Sequence, residues 1–237
     1  MNNLVNELNY LREMSIEMMI MVKNQHEKAK NALVEFNLDL AEEIIRTEQR
    51  VNALELSIEN KCENIIALFQ PVATDLRFVL SIFKFVSELE RIGDHADAIA
   101  KFLLDKTEPF DKEILKALKL EEMFNETNSM FEDVILAMNE NNSAPARKVF
   151  KKDKDVNKHL RTAKKTIGDE LSKFHPQSNE LLTLYSAEVR LERVGDLLTN
   201  VAEEIIFYLE AEIMKHQNKK KTPAKGKKLH QKPNQGN

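Results

Sequence analysis

Apolar residues recur every three or four positions along almost the whole chain, the spacing of one buried helix face. Leu4, Leu8, Leu11, Met14, Met18 and Met21 make the first such stripe, with the methionines read as core filler. Leu54, Ile58, Cys62, Ile65 and Phe69 make a later one. Phe36-Asn37 resets the chain, with Asn37 placed to cap the helix that follows. Gln70-Pro71, Pro109, the loop NENNSAP at residues 139–145 and His175-Pro176 are the other breaks. In that loop Ser143 is the expected cap and Pro145 falls in the first helical turn. The pattern predicts an all-α protein of six helices of roughly 30 residues, ending near residues 36, 69, 104, 138, 174 and 214. Helices of that length suit bundles with short antiparallel connections.

The order helix, helix, proline, helix occurs twice. LERIGD at residues 89–94 returns as LERVGD at 191–196, an offset of 102. Val51-Asn52 returns as Val156-Asn157, and Gln70-Pro71 as His175-Pro176, both at an offset of 105. The expected organisation is two tandem, pseudo-symmetric three-helix bundles, residues 1–107 and 108–214, followed by a basic tail at 215–237.

Composition supports helices over sheets: the chain has five glycines, six prolines and 6% aromatic residues, too little turn material for many hairpins. A single cysteine, Cys62, permits no disulfide within the chain and sits in an apolar stripe as a small buried residue. The N-terminus does not read as a signal peptide, and no apolar run reaches the roughly 20 residues of a bilayer span, so a cytoplasmic setting is expected. The net charge of −4 is uneven. Eight lysines and no acid follow residue 214, which leaves 27 basic against 39 acidic residues, a charge of −12, on the body. The tail reads as disordered, and RNA, anionic lipid or the acidic body itself are its candidate contacts. The body is not expected to bind nucleic acid.

Glycine in a helix interior costs about 1 kcal/mol against alanine. Yet Gly93 and Gly195 occupy the same register of the two repeats, so close approach of another group is the expected reason. Around them the acids form rows. Glu90, Asp94 and Asp97 lie at i, i+4, i+7, and Glu188, Glu192, Asp196 and Glu203 share a stripe in the second copy. Like charges four apart destabilise a helix, so basic residues on a neighbouring helix or bound cations must offset each row. Carboxylates at that spacing converge on hard or borderline cations through oxygen. His95 follows Asp94 and could add a nitrogen ligand, but its counterpart is Leu197, so it is read as structural or as a support behind the ligands. Catalysis finds little support: there is no Gly-rich phosphate loop, and the Glu-x-x-His pairs of di-iron bundles are absent, since Gly93 and Gly195 stand where histidine would.

LERIGDHADAIA, LERVGDLLTNVAEEI and the stretch QPVATDLRFV at residues 70–79 together resemble the paired signature of the PhoU family, over roughly residues 1–214. The resemblance implies two three-helix bundles side by side and a cytoplasmic, non-enzymatic regulator of phosphate uptake and of the phosphate-starvation response. It further implies the ATPase subunit of a phosphate ABC transporter and a sensor histidine kinase as partners, negative regulation of that kinase when phosphate is plentiful, and a homodimer. Some members hold iron or other divalent or trivalent metal clusters through E/DxxxD pairs. Carried onto this chain, the later pairs are Glu90 with Asp94 and Glu192 with Asp196, both intact. The earlier pairs fall at Glu48 with Asn52 and Asp153 with Asn157, where asparagine replaces the second acid and removes a charge from each site. The alternative readings of the residues are a metal-dependent enzyme or a metal-binding helical bundle built on the carboxylate rows, or a plain helical scaffold.

Overall fold

The structure is a computed structural model that describes residues 2–171 and 178–214. It is all α, with seven helices among the described residues: α1 (Asn2–Glu35), α2 (Leu38–Phe69), α3 (Ala73–Leu104), α4 (Lys112–Leu118), α5 (Leu120–Glu140), α6 (Ser143–Leu171) and α7 (Ser178–Glu210). Asn37 caps α2 as its sequence position predicts, its side chain accepting from Leu40 N at 3.1 Å. Gln70 ends α2 in the left-handed region, immediately before Pro71. The expected break at His175-Pro176 and the tail from residue 215 lie outside the described residues.

Two details differ from the sequence expectation. The fourth helix is split, because Lys119 adopts a left-handed conformation at φ 57°. Leu118 and Leu120, 3% and 0% exposed, explain why. Two residues apart on one straight helix they would point about 200° from each other, and the turn lets both enter the core. At the start of α6 the cap comes from Asn142, whose Oδ1 accepts from Ala144 N at 3.0 Å. Ser143 instead hydrogen-bonds Glu210 of α7.

α1, α3, α7 and α5 pack in a ring, each on the next, and α5 on α1 closes it. α2 lies outside against α1 and α3, and α6 lies outside against α5 and α7. The ring carries the largest buried side chains, including Phe85 of α3 and Phe124 and Phe131 of α5. Where α1 meets α5, the buried His26 ring lies 2.6 Å from Thr127 Oγ1 through Nε2 and stacks at a tilt on Phe124 and Phe131. Burial, with His95 as a smaller cause, lowers its pKa to about 3 and holds it neutral. Cys62 is fully buried, as its stripe predicts.

Candidate functional site

The fold faces the acids of α2 onto those of α3, and the acids of α6 onto those of α7. In the first half Glu48 leaves α2 and meets Glu90 and Asp94 of α3. One carboxylate oxygen from each lies within 4.8 Å of the other two. Glu90 and Asp94, four residues apart, project from the same face of α3. Glu48 is 7% exposed, and its Oε2 accepts from Gln25 Nε2 of α1 at 3.0 Å. Its Oε1 is buried and has no hydrogen-bond partner among the described residues. Burial pushes the Glu48 carboxyl up to about 7; Gln25 opposes the rise, and Asp94, Asp97 and Glu90 add to it. Burial and then Asp94 raise Glu90 as well, against Arg91.

Among the described residues no lysine or arginine forms an ion pair with Glu48, Glu90 or Asp94. Arg91 turns to Glu88 at 3.0 Å, and Lys101 pairs with Asp97 at 2.6 Å. Lys101 thus offsets the Asp97 end of the row, while Glu90 and Asp94 have no ion-pair partner among the described residues. Glu55 joins the acidic face from α2, raised to about 6 by burial and then by Glu90. Asn52 is exposed on α2. His95 lies in the field of Arg190 and Arg193 of α7, and burial followed by these arginines lowers it to about 4.

The second half repeats the plan more loosely. Asp153 of α6 faces Glu192 and Asp196 of α7; burial raises all three, and Asp196 adds to the rise at both Asp153 and Glu192. Asp153 Oδ1 is buried without a partner among the described residues, while Oδ2 accepts from Asn157 Nδ2 at 3.1 Å. The asparagine that replaces an acid here therefore donates to the remaining acid, the task Gln25 performs for Glu48 in the first half.

The paired glycines now have a cause. A Cβ on Gly93 would stand 2.7 Å from Glu48 Oε2 and 3.2 Å from Gln25 Oε1, so the missing side chain makes room for the carboxylate of α2. At Gly195 the nearest atoms, Asp153 Oδ1 and Val156 Cγ1, would be 3.4 Å away, an ordinary contact. The close approach is of an acid to a helix, and it is tight only in the first half.

Gln25 and Glu55 escaped the sequence reading, because neither belongs to the repeated string. The sequence puts Glu188 on the second acidic stripe, whereas the structure buries it completely, with neither carboxylate oxygen hydrogen-bonded among the described residues. The signal was present in the repeat: at the offset of 102 its counterpart is Val86, also 0% exposed.

A helical protein that presents two related carboxylate clusters from a duplicated helix unit is the class that this fold and site define. The PhoU domain model matches the chain twice, over residues 16–103 and 120–205. A phosphate-specific transport system accessory protein from Edwardsiella tarda is 31% identical over 210 residues, 89% of this chain and 86% of that protein. A homolog of that accessory protein from Aquifex aeolicus is 33% identical over 230 residues, 91% of this chain and 96% of that one. The crystal structure of a phosphate transport system regulatory protein from Streptococcus pneumoniae superposes with a TM-score of 0.80 at 27% identity, covering 89% of this chain and 98% of that one. The chain belongs to the PhoU family.

Proposed function

We propose that this protein regulates phosphate uptake and the phosphate-starvation response as a non-enzymatic adaptor. It couples the ATPase subunit of a phosphate ABC transporter to a sensor histidine kinase and restrains the kinase when phosphate is plentiful. The observation that carries the reading is the match, along nearly the full chain, to relatives named as accessory proteins of phosphate-specific transport. No described helix is long and apolar enough to cross a membrane, so contact with the transporter runs through the surface of the bundles. A cytoplasmic location and a homodimer belong to the same proposal.

The carboxylate clusters extend it. In the first, three oxygens within 4.8 Å, no ion pair among the described residues and an unpartnered buried oxygen on Glu48 fit a hard cation such as iron or another divalent or trivalent metal. Glu48, Glu90 and Asp94 would hold it, and the metal would supply the positive charge the row lacks. In the second, Asp153, Glu192 and Asp196 offer the same donor chemistry, with Asn157 holding Asp153 in place.

Affinity purification of the tagged protein from phosphate-replete cells, after crosslinking, tests the adaptor role. The ATPase subunit and the kinase should both be recovered. Recovery of the intact transporter by a tag on its own subunit, without this protein, would contradict it.

A further inference from the structure

The two outer helices occupy matching places in the duplicated fold but carry opposite charge. α2 has seven acids and three bases, whereas α6 has nine bases and four acids. The bases of α6 are ordered. Arg147, Lys151, Lys154, Lys158, Arg161 and Lys165 follow one another at steps of four, three, four, three and four, all exposed. They form one stripe about 27 Å long on the outer face. Arg147 pairs with Glu210 and Glu212 of the α7 end. The other five have no ion pair among the described residues.

The duplication supplies an internal control. At the offset of 105, the same stripe on α2 reads Glu42, Arg46, Gln49, Ala53, Leu56 and Asn60. What the fold needs at these positions is met there with a single base. Like charges at i, i+4 each destabilise a helix by about 0.2–0.5 kcal/mol, so the like-charged pairs of this row do not serve the stability of α6. Met214, the last described residue, places its Sδ 3.9 Å from Arg147 at one end of the stripe, and the sequence after it carries eight lysines and no acid.

We propose that the α6 stripe is the face by which this protein lies on an anionic lipid surface. The occupant follows from the shape and chemistry of the row. It runs along the exposed face of a single helix, is mostly lysine and is free of aromatic residues, so it offers point charges to a negative plane rather than a stacking platform for nucleic acid. The acidic α2 on the far side gives the molecule a charge dipole that turns α6 toward such a plane. The choice of a membrane over an acidic protein rests on the reading above, in which the protein serves a membrane transporter; the binding itself needs no transporter.

The test is cosedimentation of the full chain with vesicles of phosphatidylcholine alone or mixed with phosphatidylglycerol. The protein should bind only the mixed vesicles and release as salt is raised. A variant with Lys151, Lys154, Lys158 and Lys165 all changed to Gln should bind at least about 100-fold more weakly, with its helical circular dichroism intact. Arg46→Gln with Arg50→Gln on α2 should bind like the parent. Parent-like binding by the four-lysine variant would overturn the assignment to α6. Binding to RNA or to an acidic peptide, with none to the mixed vesicles, would overturn the lipid partner. Either failure would leave recovery of the ATPase subunit unaffected, and loss of that recovery alone would count against the adaptor reading and not this one.

Discussion

Glu188→Met raises the melting temperature and reduces the loss of stability at alkaline pH. Glu188 is 0% exposed, and neither of its oxygens is hydrogen-bonded among the described residues. The other deeply buried acids are better provided for. Asp133 pairs with Lys152 at 2.6 Å, Asp97 with Lys101 at 2.6 Å and Glu204 with Lys84 at 3.4 Å. Burial alone pushes the Glu188 carboxyl from 4.5 up to about 8. The folded chain therefore keeps a proton that the unfolded chain has lost between those values. The stability associated with this group is fully present below pH 4.5 and is lost as pH rises through about 8. At pH 7 the proton uptake costs about 3 kcal/mol, at 1.36 kcal/mol per pH unit. Methionine fills a similar volume without a titrating group, so the gain at pH 7 is about 2–3 kcal/mol and the melting temperature rises by about 5–10 °C. The gain shrinks toward pH 5. Thermal melts of both proteins from pH 5 to 9 check this, and an unchanged or lower melting temperature at pH 7 would show that Glu188 is held by a partner.

On the metal reading proposed above, Glu90→Ala with Glu192→Ala leaves both clusters without metal while the helix content stays near that of the parent. Each substitution removes a carboxylate from a half-buried set that has no basic ion-pair partner among the described residues, so it takes away ligand charge without breaking a structural bridge. A finer probe separates the halves. Gly93→Ala brings a methyl within 2.7 Å of Glu48 Oε2, which displaces that carboxylate and lowers the metal held by the first cluster. Gly195→Ala meets its neighbours at 3.4 Å, leaves the second cluster intact and adds up to about 1 kcal/mol from helix propensity. Metal per chain, measured by mass spectrometry after purification, reads all three. Equal metal in the double variant and the parent would contradict the assignment.

The helices were legible because their ends carry physical marks. Asn37 has a short side chain that reaches the next turn, and Pro71 follows the left-handed Gln70. The split at Lys119 was hidden because no glycine, asparagine or proline announces it. Only the need to bury both Leu118 and Leu120 sets that turn, and the need arises from packing. Ser143 and Asn142 are both good caps in isolation, and the choice between them depended on Glu210, distant in sequence and close in space. In the site, the spacing Glu90-Asp94 on one helix face and its repeat were readable without coordinates. That Glu48 enters this group from α2 came only through the family resemblance, since pairing between helices has no local signature. Gln25, which orients Glu48 from a third helix, had none either.

The most direct measurement is alkaline phosphatase output from a phosphate-starvation promoter, in phosphate-rich medium, in the source organism with and without this gene. Loss of the gene should switch the promoter on despite ample phosphate, and a plasmid copy should switch it off again. Unchanged output in the deletion strain would contradict the regulatory role.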